Sequence, residues 1–335
     1  MKTRNNISLN KLNQLIQNAN SILLTSHINP DGDGIGSELG LYHYLNDIGK
    51  DCKIINTSPI PELFKFLDQD SVTLTYSSDY NQWIENVDLI IILDIGDIKR
   101  VGPMKELFSK DSISICIDHH PVRSSEDYSY ICVDTNEPST GSIIYKYLLQ
   151  ANTSKQLPLK IAVPLYVALF TDTGSFRYSN TNFEAHEMAA DLIKSGVKPH
   201  EIQTRVYESR SISQVRLLGM IIDNLNFELN GKFVWFVITS EMMENSRISP
   251  SEIDGFTDFA RTINNVEIAC MILELPDQEV RINFRSKGKY AVNDVAAKFK
   301  GGGHPFAAGA IVENTSCMDV KNIILQEMKI KIEEV

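Results

Sequence analysis

Cysteine is scarce in this 335-residue chain. Its five copies (Cys52, Cys116, Cys132, Cys270, Cys317) are odd in number, widely spaced and never arranged as Cys-x-x-Cys. That excludes a disulfide framework and reads as reduced, mostly buried thiols of a cytoplasmic protein. Long apolar runs are missing too, and no stretch approaches a membrane span, so no membrane partner is expected. The start, Met1-Lys2-Thr3-Arg4-Asn5-Asn6, leads into a polar amphipathic stretch, which argues against a secretory signal. Positive charge is in the minority: 32 Lys+Arg against 43 Asp+Glu give a net charge of -11. Such a surface repels long polyanions, so long nucleic acid is not an expected partner, whereas small phosphorylated substrates can still be captured by metal ions and a local basic patch. Internal repeats, low-complexity tracts and any Gly-Lys-Ser/Thr phosphate loop are also absent.

What is present is an ordinary globular composition, 43% hydrophobic and 22% charged, in a chain long enough for two domains. Leu9, Leu12, Leu15 and Ile16 share one helical face, and the short strand Ile22-Leu23-Leu24 after them ends at His27. A helix is expected from about Ile35 to Ile48, closed by Gly49, then a strand near Lys53-Ile54-Ile55. The apolar runs 89–93 and 113–117 deliver Asp94 and Asp118, and the run 161–170, within a stretch from Thr140 to about Asn224 that reads mainly helical, stops just before Asp172. Strands alternating with helices predict an α/β fold with a doubly wound, mainly parallel sheet, whose carboxyl edge would collect these Asp and His residues. From Leu225 the character changes. Phe227 to Trp235 with Asn230-Gly231 at its centre is a hairpin signal, and strands near 268–275 and 280–284, a helix, a glycine run and a last amphipathic helix follow. The expected organisation is a catalytic domain over 1–195, a helical connector over 196–224 and a smaller α+β domain over 225–335.

Two segments carry the chemistry: His27-Ile-Asn-Pro-Asp31-Gly-Asp33, and Asp118-His119-His120. Asp31 and Asp33 sit two apart and can face different metal ions, with His27 joining Asp31, while Gly32, Gly34 and Gly36 are expected to let the backbone turn around the ions. Asn29-Pro30-Asp31-Gly32 is also a good turn sequence, and alone it would not separate turn from metal site. An EF-hand beginning at Asp31 fails at Ile35 and Tyr42, and a dinucleotide fingerprint beginning at Gly32 fails at Ser37. A single strand-terminal Asp such as Asp94, or Asp172 in Thr171-Asp172-Thr173-Gly174, is ordinarily a helix cap. Several carboxylates converging on one sheet edge repel one another unless divalent cations lie between them, which favours a two-metal centre.

In this order the residues resemble the DHH phosphoesterase superfamily. Further on, Phe284-Arg285-Ser286 and Gly301-Gly302-Gly303-His304-Pro305-Phe306-Ala307-Ala308-Gly309 resemble the signature of the first type of DHH-associated domain, and the pair is most similar to the nanoRNase and pAp phosphatase group. The resemblance implies that His27 and Asp31 hold one metal, that Asp33, His119 and Asp172 hold the other, and that Asp94 bridges them. It further implies that Asp118 orients a histidine and that His120 contacts the scissile phosphate. Mixed oxygen and imidazole ligands place Mn2+ ahead of Mg2+.

Six basic residues between Arg281 and Lys300 (Arg281, Arg285, Lys287, Lys289, Lys298, Lys300) face one acid, Asp294, which marks a phosphate patch. Lys298 or Lys289 reads equally well as part of a solvated helix face. Arg285 can grip a phosphate with two hydrogen bonds, Ser286 adjoins it, and Gly302 and Gly303 let backbone N–H groups approach an anion beside His304. The expected function is hydrolysis of very short oligoribonucleotides to mononucleotides and removal of the 3'-phosphate of 3'-phosphoadenosine 5'-phosphate (pAp). The rivals are a phosphodiesterase for linear dinucleotides (pApA, pGpG) or cyclic dinucleotides, an inorganic pyrophosphatase, and a non-enzymatic nucleotide sensor, which would be expected to lack ligands present here. Short RNA and nucleoside bisphosphates are the expected partners, and the sequence allows a homodimer without requiring one.

Overall fold

The structure is a computed structural model that describes residues 6–122, 125–151, 156–249, 252–253 and 255–333; the first five residues, on which the secretory-signal argument partly rests, lie outside it. Two compact units divide the chain, Met1–Glu208 and Ser209–Val335. The stretch expected as a connector supplies a helix to each.

In the first unit six strands form one parallel sheet: β1 Ser21–Thr25, β2 Asp51–Asn56, β3 Thr73–Thr75, β4 Leu89–Leu93, β5 Ile113–Asp118 and β6 Tyr130–Val133. Their order is β3-β2-β1-β4-β5-β6. Strand order therefore reverses between β1 and β4, and a cleft opens past the carboxyl ends at such a reversal. The apolar runs are continuous because both faces are covered. Ile22, Leu24, Ile91 and Ile117 pack under helices on one side, and Leu23, Ile90, Ile92 and Cys116 face a second cluster on the other. The helices of this unit are α1 Leu9–Asn18, α2 Gly32–Asp47, α3 Asn81–Glu85, α4 Thr140–Ala151, α5 Leu159–Asp172, α6 Phe183–Lys194 and α7 Pro199–Tyr207.

Two expectations are corrected here. Asp172 ends helix α5, as the mainly helical reading of 140–224 has it, and is not a strand-terminal residue; periodicity alone does not separate a short buried helix from a buried strand. Gly32, Gly34 and Gly36 lie inside α2 with negative φ and supply no turn around an ion. They serve close packing. A Cβ on Gly36 would stand 2.3 Å from the Pro164 carbonyl oxygen and 2.9 Å from the Ala168 Cβ, and one on Gly40 would stand 2.8 Å from the Leu165 side chain. Gly32, Gly36 and Gly40 fall four residues apart, so they form a seam along which α2 lies against α5. The seam brings the N-terminus of α2, with Asp31 and Asp33, to the C-terminal end of α5, with Asp172.

The second unit contains α8 Ile212–Asp223, β7 Asn226–Glu228, β8 Phe233–Ile238, α9 Ser240–Ser246, α10 Phe256–Arg261, β9 Ile268–Leu275, β10 Glu279–Ser286, α11 Asn293–Lys298, β11 Gly302–His304, β12 Ala307–Val312 and α12 Cys317–Glu333. Its sheet runs β11-β12-β10-β9-β8-β7, antiparallel except for the β8 and β9 pair. Residues 229–232 join β7 to β8, with Leu229, Asn230 and Gly231 at left-handed φ, so Asn230-Gly231 lies in the turn of a hairpin whose loop is longer than two residues. No helix among the described residues is long and apolar enough to cross a membrane.

Candidate metal centre

Every sequence-predicted ligand of the first unit arrives at the β1/β4 end of the sheet. His27, Asp31 and Asp94 offer donor atoms all within 4.8 Å of one another, and so do Asp33, His119 and Asp172. Asp94 stands between the sets: its Oδ2 is 4.0 Å from His27 Nε2, and its Oδ1 is 3.8 Å from His119 Nε2. It takes up this place with φ of 54°, a left-handed conformation costly for most residues and tolerated better by Asp, while its N–H still bonds the Ile117 carbonyl at 3.1 Å.

Each donor is held from behind. Asp31 caps α2, its Oδ1 accepting the N–H groups of Asp33 and Gly34 at 3.0 and 3.2 Å, so the turn and metal readings of that carboxylate are compatible. Asp33 accepts the N–H groups of Thr140 (2.6 Å) and Gly141 (2.9 Å) at the start of α4, and the Ser37 hydroxyl at 3.2 Å. His27 and His119 turn Nδ1 to the carbonyls of Ile28 (2.8 Å) and Glu137 (3.2 Å). With Nδ1–H donating there, the Nε2 lone pair of His119 lies 3.7 Å from Asp33 Oδ2 and 3.5 Å from Asp172 Oδ2. A lone pair set among carboxylate oxygens is repulsive without a cation. The acids register the same strain. Burial, then the charges of Asp94, Asp172 and Asp31, hold Asp33 well above the usual carboxylate range. Burial, with Asp94 and Asp31 adding, pushes Asp172 up to about 7 against the pull of His119 and His120. Asp172 also sits at the negative end of the α5 dipole. Burial opposes the charge on Asp94 as well, but the hydrogen bond from His120 and the charge of that ring keep it below the usual range. The donor set is thus short of positive charge, and its mix of carboxylate and imidazole fits divalent metal ions.

Asp118 is fully buried and fastens the site. Its Oδ1 accepts from His120 Nδ1 at 2.7 Å, and its Oδ2 accepts the N–H groups of Ile95 and Gly96 at 2.8 and 2.6 Å, directly after Asp94. Burial disfavours the imidazolium of His120, yet the hydrogen bonds to Asp118 and Asp94 push its pKa up to about 11.

Sequence reasoning missed Thr140, whose hydroxyl bonds Asp94 at 3.2 Å, and Asn180, whose amide donates to Asp172 Oδ2 at 3.2 Å. Ser139-Thr140-Gly141-Ser142 opening a helix after a strand was the available signal for the first; Asn180 had none.

In the second unit Arg285 lies near the end of β10, where its Nε donates to Asp258 at 3.3 Å; Arg261 reaches the same carboxylate at 3.3 Å. Neither Asp258 nor Arg261 was foreseen. Ser286 is buried and its hydroxyl accepts the Gly288 N–H at 3.3 Å. Gly302, Gly303 and His304 form β11, the edge strand of the sheet, and not a free loop. Lys298 pairs with Glu327, as the solvated-face reading of that lysine has it.

Residues 21–169 match the N-terminal domain of the DHH family, and residues 218–333 match the DHHA1 domain. The chain thus carries a DHH-family N-terminal domain followed by a DHHA1 domain. It is 27% identical over 311 residues to the bifunctional oligoribonuclease and PAP phosphatase NrnA of Thermus thermophilus, covering 92% of this chain and 89% of that protein. It is 29% identical over 297 residues to the protein of the same name in Bacillus subtilis, covering 87% and 89%. An exopolyphosphatase-related protein from Bacteroides fragilis has the same fold, with a TM-score of 0.89 at 26% identity over 96% of both chains.

Proposed function

We propose that the chain is a two-metal phosphoesterase that degrades short oligoribonucleotides to mononucleotides and dephosphorylates pAp. The observation that carries this reading is Asp94, which completes one three-residue donor set with His27 and Asp31 and turns its other oxygen to His119 of the second set at 3.8 Å, the histidine of each set being oriented by a carbonyl. The names of the Thermus and Bacillus relatives support the substrate class. His27, Asp31 and Asp94 would hold one ion and Asp33, His119, Asp172 and Asp94 the other, with Mn2+ preferred to Mg2+. When bound, such ions activate water and neutralise charge on phosphate oxygens. His120, committed to Asp118 through Nδ1, would contact the scissile phosphate through Nε2. Residues 1–195 would carry the chemistry and residues 225–335 would bind substrate through Arg285, Ser286, Gly302, Gly303 and His304. The setting we infer is the cytoplasm.

The test is an assay of the purified protein with Mn2+ on pAp, pApA, pGpG and RNA of two to about seven nucleotides, in parallel with RNA of about twenty. Turnover of pAp and the short RNAs that chelation stops, and that declines with length, is expected. Turnover confined to pApA or pGpG would favour the dinucleotide phosphodiesterase, and none on any of them would overturn the reading. Arg285→Ala and His304→Ala should each lower kcat/KM on nucleotides about ten- to a hundredfold, the loss of a charged hydrogen bond, while sparing a small chromogenic phosphodiester. Parallel loss of both activities in a folded variant would assign the residue to the chemical step.

A further inference from the structure

The backbone that carries His27 out of β1 is fastened from within the unit by one side chain. Asn56, the last residue of β2, accepts the Ser26 N–H at 2.9 Å and the Thr25 hydroxyl at 3.2 Å on Oδ1, and its amide donates to Glu38 Oε2 at 2.8 Å. Thr25, Ser26, Glu38 and Asn56 are all buried, at most 1% exposed. Glu38 lies on α2, the helix that Asp31 caps and whose first turn holds Asp33. Its other oxygen, Oε1, has no hydrogen-bond partner. Gly34, one turn earlier on the same face, leaves room for the Ser26 side chain, whose Oγ would be 2.7 Å from a Cβ there. A three-member bridge therefore ties the helix bearing two candidate ligands to the strand end bearing a third, by way of a strand that bears none.

We propose that Glu38 is a positioning residue for the metal centre: as a neutral carboxylic acid it holds Asn56, and Asn56 fixes the backbone that presents His27 beside Asp31 and Asp33. The inference rests on the metal reading above. An ionised carboxylate with a single partner and no exposure is strongly disfavoured, while a neutral acid accepts the amide hydrogen bond at far lower cost. Burial pushes the Glu38 pKa up to about 8, with the Asn56 hydrogen bond opposing. Packing alone does not call for a carboxyl here, since an apolar side chain of similar size fills the same volume. What an apolar side chain cannot do is pair with the Asn56 amide.

The experiment compares Glu38→Gln, Glu38→Leu and Asn56→Ser with the wild type. Each is prepared metal-free, and the Mn2+ dissociation constant is measured by titration calorimetry beside the metal-free melting temperature. Glu38→Gln should bind Mn2+ as the wild type does, whereas Glu38→Leu and Asn56→Ser should bind it about 10- to 100-fold more weakly, with activity returning at saturating Mn2+. If both bind Mn2+ normally and merely melt lower, the role is structural and the proposal fails. If Glu38→Gln loses as much affinity as Asn56→Ser, a charge is required and the proposal fails in its other half; this comparison decides the matter even if Glu38→Leu does not fold. A wild type that binds no Mn2+ would instead overturn the metal centre itself.

Discussion

At the scale of single residues, the sequence displays the donors and hides what orients them. His27, Asp94 and Asp118 stand out because they follow apolar runs at a parallel sheet edge, a pattern visible within ten residues. Thr140, Asn180, Asn56 and Glu38 act on partners 8 to 46 positions away, and no local period encodes those pairings. Asp94→Ala should abolish turnover while leaving the circular dichroism spectrum unchanged, because the carboxylate lies past the end of β4 and its neighbours, Thr140 and the three histidines, belong to the site. Appreciable turnover by the folded variant would sink the bridging role. Glu38 yields a separate prediction about stability. Its folded pKa of about 8 exceeds the ordinary value of 4.5, so between those pH values the native state holds a proton that the unfolded chain has released. Stability from this group is complete below pH 4.5 and is lost as pH rises to about 8, by an amount on the order of a few kcal/mol. Urea denaturation at pH 5 and pH 8.5 should show that decline in the wild type and a smaller one in Glu38→Gln; equal declines would mean that Glu38 does not carry the proton.

Among the elements, the strands of the first sheet were legible because continuous Ile and Leu runs bounded by polar residues leave little else to be. The reading of Asp172 as strand-terminal failed where helix and strand share an apolar composition, and the glycines of α2 were misread because a glycine's neighbours in space are not written beside it. Two of the helical glycines make opposite predictions. Replacing a helical glycine by alanine gains about 0.5 to 1 kcal/mol of backbone entropy, while forcing a methyl into a filled contact costs about 1 to 3 kcal/mol. Gly36 faces the Pro164 carbonyl at 2.3 Å from its would-be Cβ, so Gly36→Ala should destabilise. Gly219 in α8 has nothing within 4 Å, so Gly219→Ala should stabilise. Urea midpoints that move in the same direction for both would contradict the seam.

For the whole molecule, the two units have separate cores, and every proposed metal ligand belongs to the first. Calorimetric melting should therefore resolve two transitions, of which Mn2+ raises one. Ligand at a hundred times its dissociation constant adds about 2.7 kcal/mol to the unit that binds it and nothing to the other. Both transitions rising together would show that the units unfold as one.

The reach of the ligand set along the chain also has a consequence in time. Asp172 follows His27 by 145 positions (172 minus 27), and α5 must dock on α2 before the set is complete. At roughly 5 to 20 residues per second of synthesis, about 7 to 30 s separate the emergence of the first ligand from that of the last. His27, Asp31 and Asp94 have all been made by position 94, whereas Asp33 and His119 wait for Asp172, so the two donor sets are completed in sequence and the second only once α5 has docked on α2.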